Sequence, residues 1–447
     1  MLAKQNKVHN LFIVSQSLPC YNRFIFLSYE RRDIMEWQAF GFKDDPLKTS
    51  PITQSTLELF TGHNEEIQLC TNVLTSSNAR IVVEGARGVG TTSFANYLRF
   101  SAEAKKLYFT PRTEIKVEQG WRSETLLAAI ISNFVREIEL LQNNGTILED
   151  KRFQSAKALS SRIAKAYRAF GVDAFGFGAS YGKQAGIVTQ PVIVPSTTLG
   201  HHLEDLISLI REAGYKKGVL FQLNNLDIGE IHSPEEMKYL LNALRDYTQI
   251  DGSNWLFVGD LGLRKFIAQH VDRLDDIISF EVKLDPISLS ELSEMLDKRV
   301  KFYGESVKAE LPIDKEVFYY LYKITNGRLR YIFGLVSRLM NRLYVGDLTD
   351  KVTLDIAKPM LVKLGHDRVQ RSDITTMEEQ VLRLLVTLTD SRPTNIAKKL
   401  KKTSQYIGRV LSNLVSKKLV SSQKEGRDRI YKPSIDAIIA YTQIQHP

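Results

Sequence analysis

Apolar positions along the chain follow two regimes. Over residues 46–285, short runs rich in Val, Ile, Leu and Phe alternate with longer stretches in which apolar residues recur at helical spacing. Five runs read as strands: 80–84 (R-I-V-V-E), 106–110 (K-L-Y-F-T), 219–223 (V-L-F-Q-L), 255–259 (W-L-F-V-G) and 279–283 (S-F-E-V-K). The runs at 80, 219 and 255 are almost continuously apolar, which suits the middle of a parallel sheet covered on both faces. Between strands, residues 124–141 place Leu126, Leu127, Ile130, Ile131 and Phe134 on one helical face. Alternating β and α segments predict a doubly wound parallel sheet. Residues 170–198 carry Gly, Ser and Pro with weak alternation and read as a hairpin or a mobile insertion.

From Pro286 the strand pattern stops. S-L-S-E at 288–291 is a capping box opening a helix with Leu289, Leu292 and Leu296. Helices from about Asp314 and Arg328 complete an all-α unit that ends near 370. T-T-M-E-E at 375–379 starts another helix, with Val381, Leu384, Leu385 and Leu388 at i, i+3, i+4 and i+7. Helices over 394–400 and 404–418 follow, joined by a turn at 401–403. A strand, an E-G-R-D turn and a returning strand come next. Three helices and a hairpin in this order are the pattern of a winged helix-turn-helix. The first 34 residues have no clear period, and Met35 opens a stretch that reads as a natural beginning. The expected divisions are an N-terminal tail (1–45), an α/β core (46–285), a helical unit (286–370) and a winged helix (371–447).

Composition changes this picture little; the placement of charge changes it more. With 43% hydrophobic and 25% charged residues in 447, the balance is that of an ordinary globular chain. No run reaches the roughly 18 apolar residues of a membrane span, and no signal-peptide pattern is present, so no membrane partner is expected. Cys20 and Cys70 give neither metal-ligand spacing nor a disulfide framework, so a reducing cytoplasm is expected. The formal charge is +9, yet residues 391–432 alone hold twelve Lys and Arg against two acids, Glu425 and Asp428. The entire basic excess thus sits on the helix-turn-helix and its hairpin. On the 404–418 helix, Ile407, Val410, Leu411, Leu414 and Val415 form an apolar stripe. The opposite face carries Ser404, Gln405, Gly408, Arg409 and Ser412, which suit a major groove. Lys424, Arg427 and Arg429 lie near the tip of the hairpin, where a phosphate or minor groove would be. Double-stranded DNA is the expected partner; the alternative is a winged helix used to bind protein.

The run at 80–84 leads directly into G-A-R-G-V-G-T-T-S, Gly85 to Ser93, and then into a helix. Glycines let consecutive backbone N–H groups converge on an anion, and the helix N-terminus adds partial positive charge. Against the pattern G-x-x-x-x-G-K-[ST], Gly85 and Gly90 match, Gly88 lies between them, and Thr92 takes the Mg²⁺-ligand position. Thr91 stands where the lysine belongs. Arg87, inside the loop, either supplies part of the missing charge or is solvated. The second half of such a site is an aspartate closing a later strand. In G-V-L-F-Q-L-N-N-L-D, 218–227, that place holds Asn224, followed by Asn225, and the nearest acid is Asp227. A nucleotide fold that has lost its chemistry accounts for both departures; a glycine-rich turn in some other α/β fold is the alternative.

These motifs, in this order, resemble AAA+ ATPases of the origin-recognition/initiator type, related to STAND-class regulators, over roughly residues 46–445. F-T-G-H-N-E-E-I at 60–67 is similar to the family's F-x-G-R-x-x-E-[IL] segment over the adenine, with His63 in place of arginine. W-L-F-V-G-D-L-G-L at 255–263 resembles the sensor-1 strand, with Asp260 near the polar position. L-D-P-I-S-L-S-E-L at 284–292 resembles the entry to the helical lid. N-G-R-L-R at 326–330 resembles the sensor-2 motif, which would make Arg330 the γ-phosphate sensor. Arg273 reads either as a finger toward a neighbouring subunit or as a surface arginine. The resemblance implies a P-loop NTPase (AAA+) parallel sheet with a helical lid, followed by a winged helix. It also implies nucleotide-driven assembly through a homo-oligomer or a protein partner. With Thr91, Asn224 and His63 departing from the pattern, the expectation is ATP or ADP with Mg²⁺ bound weakly or not at all, no hydrolysis, and an adaptor or regulator on DNA. The alternatives are an active AAA+ ATPase of replication, transposition or phage defence, and a signal-responsive transcription regulator.

Overall fold

The computed structural model describes residues 37–442, except 77, 142–144, 170–193, 230, 306–307, 345–350 and 426–427. Strands β1 (Arg80–Gly85), β2 (Ile115–Lys116), β3 (Val219–Asn224), β4 (Ser253–Asp260) and β5 (Phe280–Leu284) form one sheet in the order β2-β3-β4-β1-β5. Every neighbouring pair is parallel. Successive side chains of a strand face opposite ways. Accordingly Ile81 and Val83 of β1 pack under helices α1 (Asn64–Leu74) and α2 (Thr91–Ala104), together with Leu74, Phe94 and Leu98. Val82 joins Phe221, Trp255 and Phe257 on the other face. That face is covered by α3 (Ser123–Glu139), α4 (Gly145–Glu149), α5 (Lys151–Ala169), α6 (Ser196–Glu212), α7 (Pro234–Leu244), α8 (Leu263–His270) and α9 (Asp272–Asp275). Burial on both faces is why β1, β3 and β4 are apolar at consecutive positions.

The expected edge strand at 106–110 is broken. Phe109 alone bridges to Val219, donating to the Gly218 carbonyl at 2.9 Å and accepting from Leu220 at 2.9 Å. Pairing resumes only at β2, five residues beyond Thr110. Pro111, which has no N–H to donate, stands at the break, and its carbonyl accepts from the fully buried Arg99 of α2.

Cys70 lies wholly buried on the inner face of α1, and burial pushes its thiol up to about 12. Reactivity resides in the thiolate, so alkylation of Cys70 at pH 8 is expected only once α1 unfolds. Peptide mass spectrometry reads this, and rapid native labelling would contradict the packing of α1 on the sheet.

The lid comprises α10 (Leu289–Tyr303), α11 (Lys315–Thr325), α12 (Leu329–Tyr344) and α13 (Leu354–Gln370). Ser288 caps α10 reciprocally with Glu291: its hydroxyl accepts from the Glu291 N–H at 3.2 Å and its own N–H donates to that carboxylate at 2.6 Å. Residues 37–45, expected as tail, belong to this unit. Trp37, Phe42, Leu47 and Ile52 join the lid core, the Lys43 N–H donates to the Tyr303 carbonyl at 2.8 Å, and the Glu305 N–H donates to Gly41 at 2.8 Å. An irregular aromatic segment shows no sequence period, so only its packing reveals it. Met35, residues 1–34 and most of 170–198 lie outside the described residues.

The last unit holds α14 (Thr376–Leu388), α15 (Pro393–Leu400), α16 (Ser404–Ser416), the antiparallel hairpin β6 (Val420–Glu425) and β7 (Asp428–Pro433), and α17 (Ile435–Tyr441). Lid and winged helix share a core across the expected boundary at 370–371. Ile439 of α17 belongs to the lid cluster, and Val369 of α13 to the winged-helix cluster. Gly365 of α13 allows this approach, because a Cβ there would lie 2.7 Å from the Ala440 nitrogen and 2.9 Å from the Asp436 carbonyl oxygen. Gly365→Val must therefore force the two helices apart. It is expected to cost about 1–3 kcal/mol, as overpacking does, measured by urea unfolding; unchanged stability would contradict the shared core. Among the described residues, no helix is long and apolar enough to cross a membrane.

Candidate functional site

β1 delivers the chain into the phosphate loop at Gly85, and α2 takes it away. Gly88 (φ +93°) and Gly90 (φ +116°) hold left-handed conformations that side chains rarely adopt. Gly90 caps α2 through its carbonyl, which accepts from the Phe94 N–H at 2.9 Å. The first-turn N–H groups, from Thr91 to Ser93, lack intrahelical acceptors and sit at the positive end of the helix dipole. The lid docks onto the loop: the Arg330 N–H donates to the Gly88 carbonyl at 3.2 Å. The Arg330 side chain is exposed, as is that of Arg87, and of the two only Arg330 lines the adjoining cavity.

The residues read as replacing the hydrolytic chemistry are held by other partners. Asn224 is buried, its Oδ1 accepting from Gln222 Nε2 at 2.9 Å. Asp227 accepts from the Asp260 N–H at 2.9 Å, fastening the end of β3 to that of β4. Glu84, the acid at the end of β1, accepts from Gly262 (3.1 Å) and Arg264 (3.0 Å) at the start of α8. Arg273 is exposed and pairs with Asp246 at 3.1 Å. Among the described residues no group of three or more His, Cys, Asp and Glu could hold a metal ion.

A strap, residues 46–52, fills the cleft between loop and lid. Its Ile52 N–H donates to Ser93 Oγ at 3.2 Å, and its Ile52 carbonyl accepts from Asn96 Nδ2 at 2.8 Å. On the lid side, Arg299 of α10 donates to the Pro46 (2.8 Å) and Lys48 (3.0 Å) carbonyls and lies 4.5 Å from the centre of the Phe333 ring. What remains is a cavity of about 100 Å³ bordered by Gly88, Gly90, Thr91, Thr92, His63 and Arg299. Ligand pockets for organic molecules run from roughly 300 Å³ upward. The cavity as arranged is smaller than such a pocket, Thr91 brings no charge, and no Asp or Glu is among the described residues that line it, so the residues present do not fit magnesium nucleotide.

Two residues that border this cavity, His63 and Arg299, each hold a fully buried nitrogen, Nε2 and Nε, with no hydrogen-bond partner among the described residues. The His63 side chain is 9% exposed and Arg299 is 8% exposed. Burial holds the His63 imidazole below its usual value, against the pull of Glu66, Glu291 and Asp285, so it is neutral at pH 7. Each such orphan costs about 1–3 kcal/mol. His63 was visible in the sequence as a departure from a motif. Arg299 was not, because one arginine on an amphipathic helix gives no signal.

In the winged helix, Ile407, Val410, Leu411 and Leu414 of α16 are buried, and Val415 is partly buried. Ser404, Gln405, Arg409 and Ser412 are exposed on the other side, and the Gly408 surface is open. Thr403 caps the helix through the Tyr406 N–H at 3.3 Å. Lys398, Lys399, Lys401 and Lys402 are exposed just ahead of it. Tyr406 is 43% exposed on this face, and the sequence reading did not single it out. Lys417 is withdrawn from the basic excess: its ammonium pairs with the buried Glu378 carboxylate and with the Asp373 carbonyl, each at 2.8 Å. Arg429 is exposed on β7, and its backbone register is opposite Lys424; Arg427 lies outside the described residues.

Residues 374–444 match the family described as penicillinase repressor. Over 401 residues the chain is 20% identical to an uncharacterised HTH-type transcriptional regulator of Methanocaldococcus jannaschii, covering 88% of this chain and 90% of that protein. Among solved structures it is similar to the Aeropyrum pernix ORC2 protein in its ADPNP–ADP complexes, with a TM-score of 0.46, 14% identity, and coverage of 90% and 97% of the two chains. It is also similar to the Aeropyrum pernix ORC1 protein in complex with DNA, with a TM-score of 0.43, 13% identity, and coverage of 91% and 95%. The sheet order, the glycine-rich phosphate-type loop after β1, the helical lid and the matched C-terminal segment give the chain a parallel α/β core with a helical lid, joined to a winged helix.

Proposed function

We propose that this chain is a DNA-binding regulator in which the winged helix grips duplex DNA and the P-loop core has ceased to hydrolyse nucleotide. The observation that carries the reading is the outer face of α16: Ser404, Gln405, Arg409 and Ser412 stand exposed beside four exposed lysines at 398–402. Hydrogen-bonding side chains in the middle of a helix, flanked by cations, match base edges between two phosphate rows. A protein-binding surface of this size would be depleted of lysine. The matched repressor family and the transcriptional-regulator relative support the same reading.

Thr91, Asn224 and the closed cleft support a core that acts as scaffold or sensor rather than motor, with nucleotide bound weakly or not at all. The core shared by α13 and α17 favours a regulator whose lid and winged helix move together. Protein partners, or further copies of the chain, would then be positioned on DNA by the core. Selection of duplexes from a randomised pool by the full-length protein is expected to enrich a common site. Recovery of an unenriched pool would reduce the winged helix to nonspecific binding and remove sequence-directed regulation from the account.

A further inference from the structure

We propose that residues 46–52 are a built-in clasp that holds the lid shut on the core, so that the lid keeps one position with or without a ligand in the cleft. The inference deepens the reading of the core as a scaffold rather than a motor, and rests on it. The two halves of the strap are bonded to different bodies. The first half belongs to the lid: Arg299 of α10 donates to the Pro46 and Lys48 carbonyls, and Leu47 is buried in the lid cluster. Just upstream, the Lys43 N–H donates to the Tyr303 carbonyl at the end of α10. The last residue of the strap joins the two bodies by itself. The Ile52 side chain is buried in the lid cluster, while its N–H and its carbonyl are both bonded to α2 of the core, through Ser93 and Asn96.

Independent contacts close the same seam. Lys298 of α10 donates to the Phe60 carbonyl at 3.0 Å, just ahead of α1. A Cβ on Gly62 would lie 2.7 Å from Ile287 Cγ2, and one on Gly88 would lie 3.3 Å from Arg330 Cβ, so lid and core meet closely at both glycines. If the lid swung away with the strap, the bonds of Ile52 to α2 would break. If the strap stayed on the core, Arg299 would lose both carbonyls and Leu47 would return to water. Either way buried polar groups lose their partners or apolar surface is exposed. Because α13 and α17 share a core, a fixed lid also fixes the winged helix.

Pulsed electron paramagnetic resonance on the full-length protein measures the lid position directly. Spin labels on Tyr239→Cys of α7 and Ile356→Cys of α13, both exposed, report the distance between core and lid. Cys20→Ser removes the competing thiol, and Cys70 is buried. One narrow distance is expected, unchanged by millimolar ATP with Mg²⁺. Arg299→Met, which frees the first half of the strap, is expected to add a second, broader population. Where that variant does not fold, a protease site inserted between the exposed Thr49 and Ser50 severs the two halves in the folded chain and is expected to do the same. Three results overturn the proposal: a shift of the wild-type distance on adding nucleotide, two populations in the untreated wild type, or a single unchanged distance after the strap is detached. Duplex binding, measured in parallel, rests on α16. Its loss with the lid distance unchanged rejects the DNA reading alone, and a mobile lid with binding intact rejects the clasp alone.

Discussion

Full-length protein incubated with millimolar ATP and Mg²⁺ is expected to release phosphate no faster than the uncatalysed background, with or without duplex DNA. Phosphoryl transfer gains its rate almost wholly from positioning and from charge placed against the transferring group. Here the lysine position is Thr91, and the strand-ending aspartate is Asn224, buried and bonded to Gln222. At ~10²–10³ in rate for each lost electrostatic partner, the two departures remove on the order of 10⁴ or more. Neighbouring acids do not compensate, since Asp227 and Glu84 accept backbone N–H groups elsewhere. Thr91→Lys alone is consequently not expected to restore turnover. Steady-state phosphate release at ordinary enzymatic rates, abolished by Thr92→Ala, would refute this part of the account.

The second large effect concerns α16. Arg409 is exposed, one turn beyond Gln405 and on the face opposite the buried stripe. If it makes a bidentate contact with a guanine, Arg409→Ala is expected to cost about 1–3 kcal/mol of discrimination, roughly 5- to 150-fold, at one base pair of the selected site. Lys401→Ala or Arg429→Ala, by contrast, is expected to weaken selected and scrambled duplexes alike, as phosphate contacts do. Competition binding with both duplexes separates the two classes. Equal weakening on both duplexes by Arg409→Ala would move that arginine from the bases to the backbone.

The layered core was legible because burial on both faces leaves β1, β3 and β4 apolar without interruption, and because capping boxes mark helix starts at Ser288 and Thr375. The polar face of α16 was legible for a related reason: its stripe of Ile407, Val410, Leu411 and Leu414 fixes which side is outside. What escaped was set by tertiary contact. The edge strand fails at Pro111 although its neighbours have strand composition. Trp37 and Phe42 lie in the lid core although their segment has no period. Arg299 acquires its role only where the 46–52 strap meets α10. Lys417 counted toward the basic excess, yet in the fold it neutralises Glu378. Local pattern shows which way an element faces; which elements meet depends on packing that no single window contains.

The central claim is that duplex DNA is gripped by the basic winged helix without help from nucleotide. Its most direct test is the affinity of nucleotide-free, full-length protein for a duplex as salt is raised from 50 to 200 mM. With about five phosphates neutralised, affinity is expected to fall on the order of 10²–10³-fold, linearly in the logarithm of salt, with a slope of roughly −4 to −5. Absence of binding at about 50 mM salt would contradict the account and make the winged helix a protein-binding module.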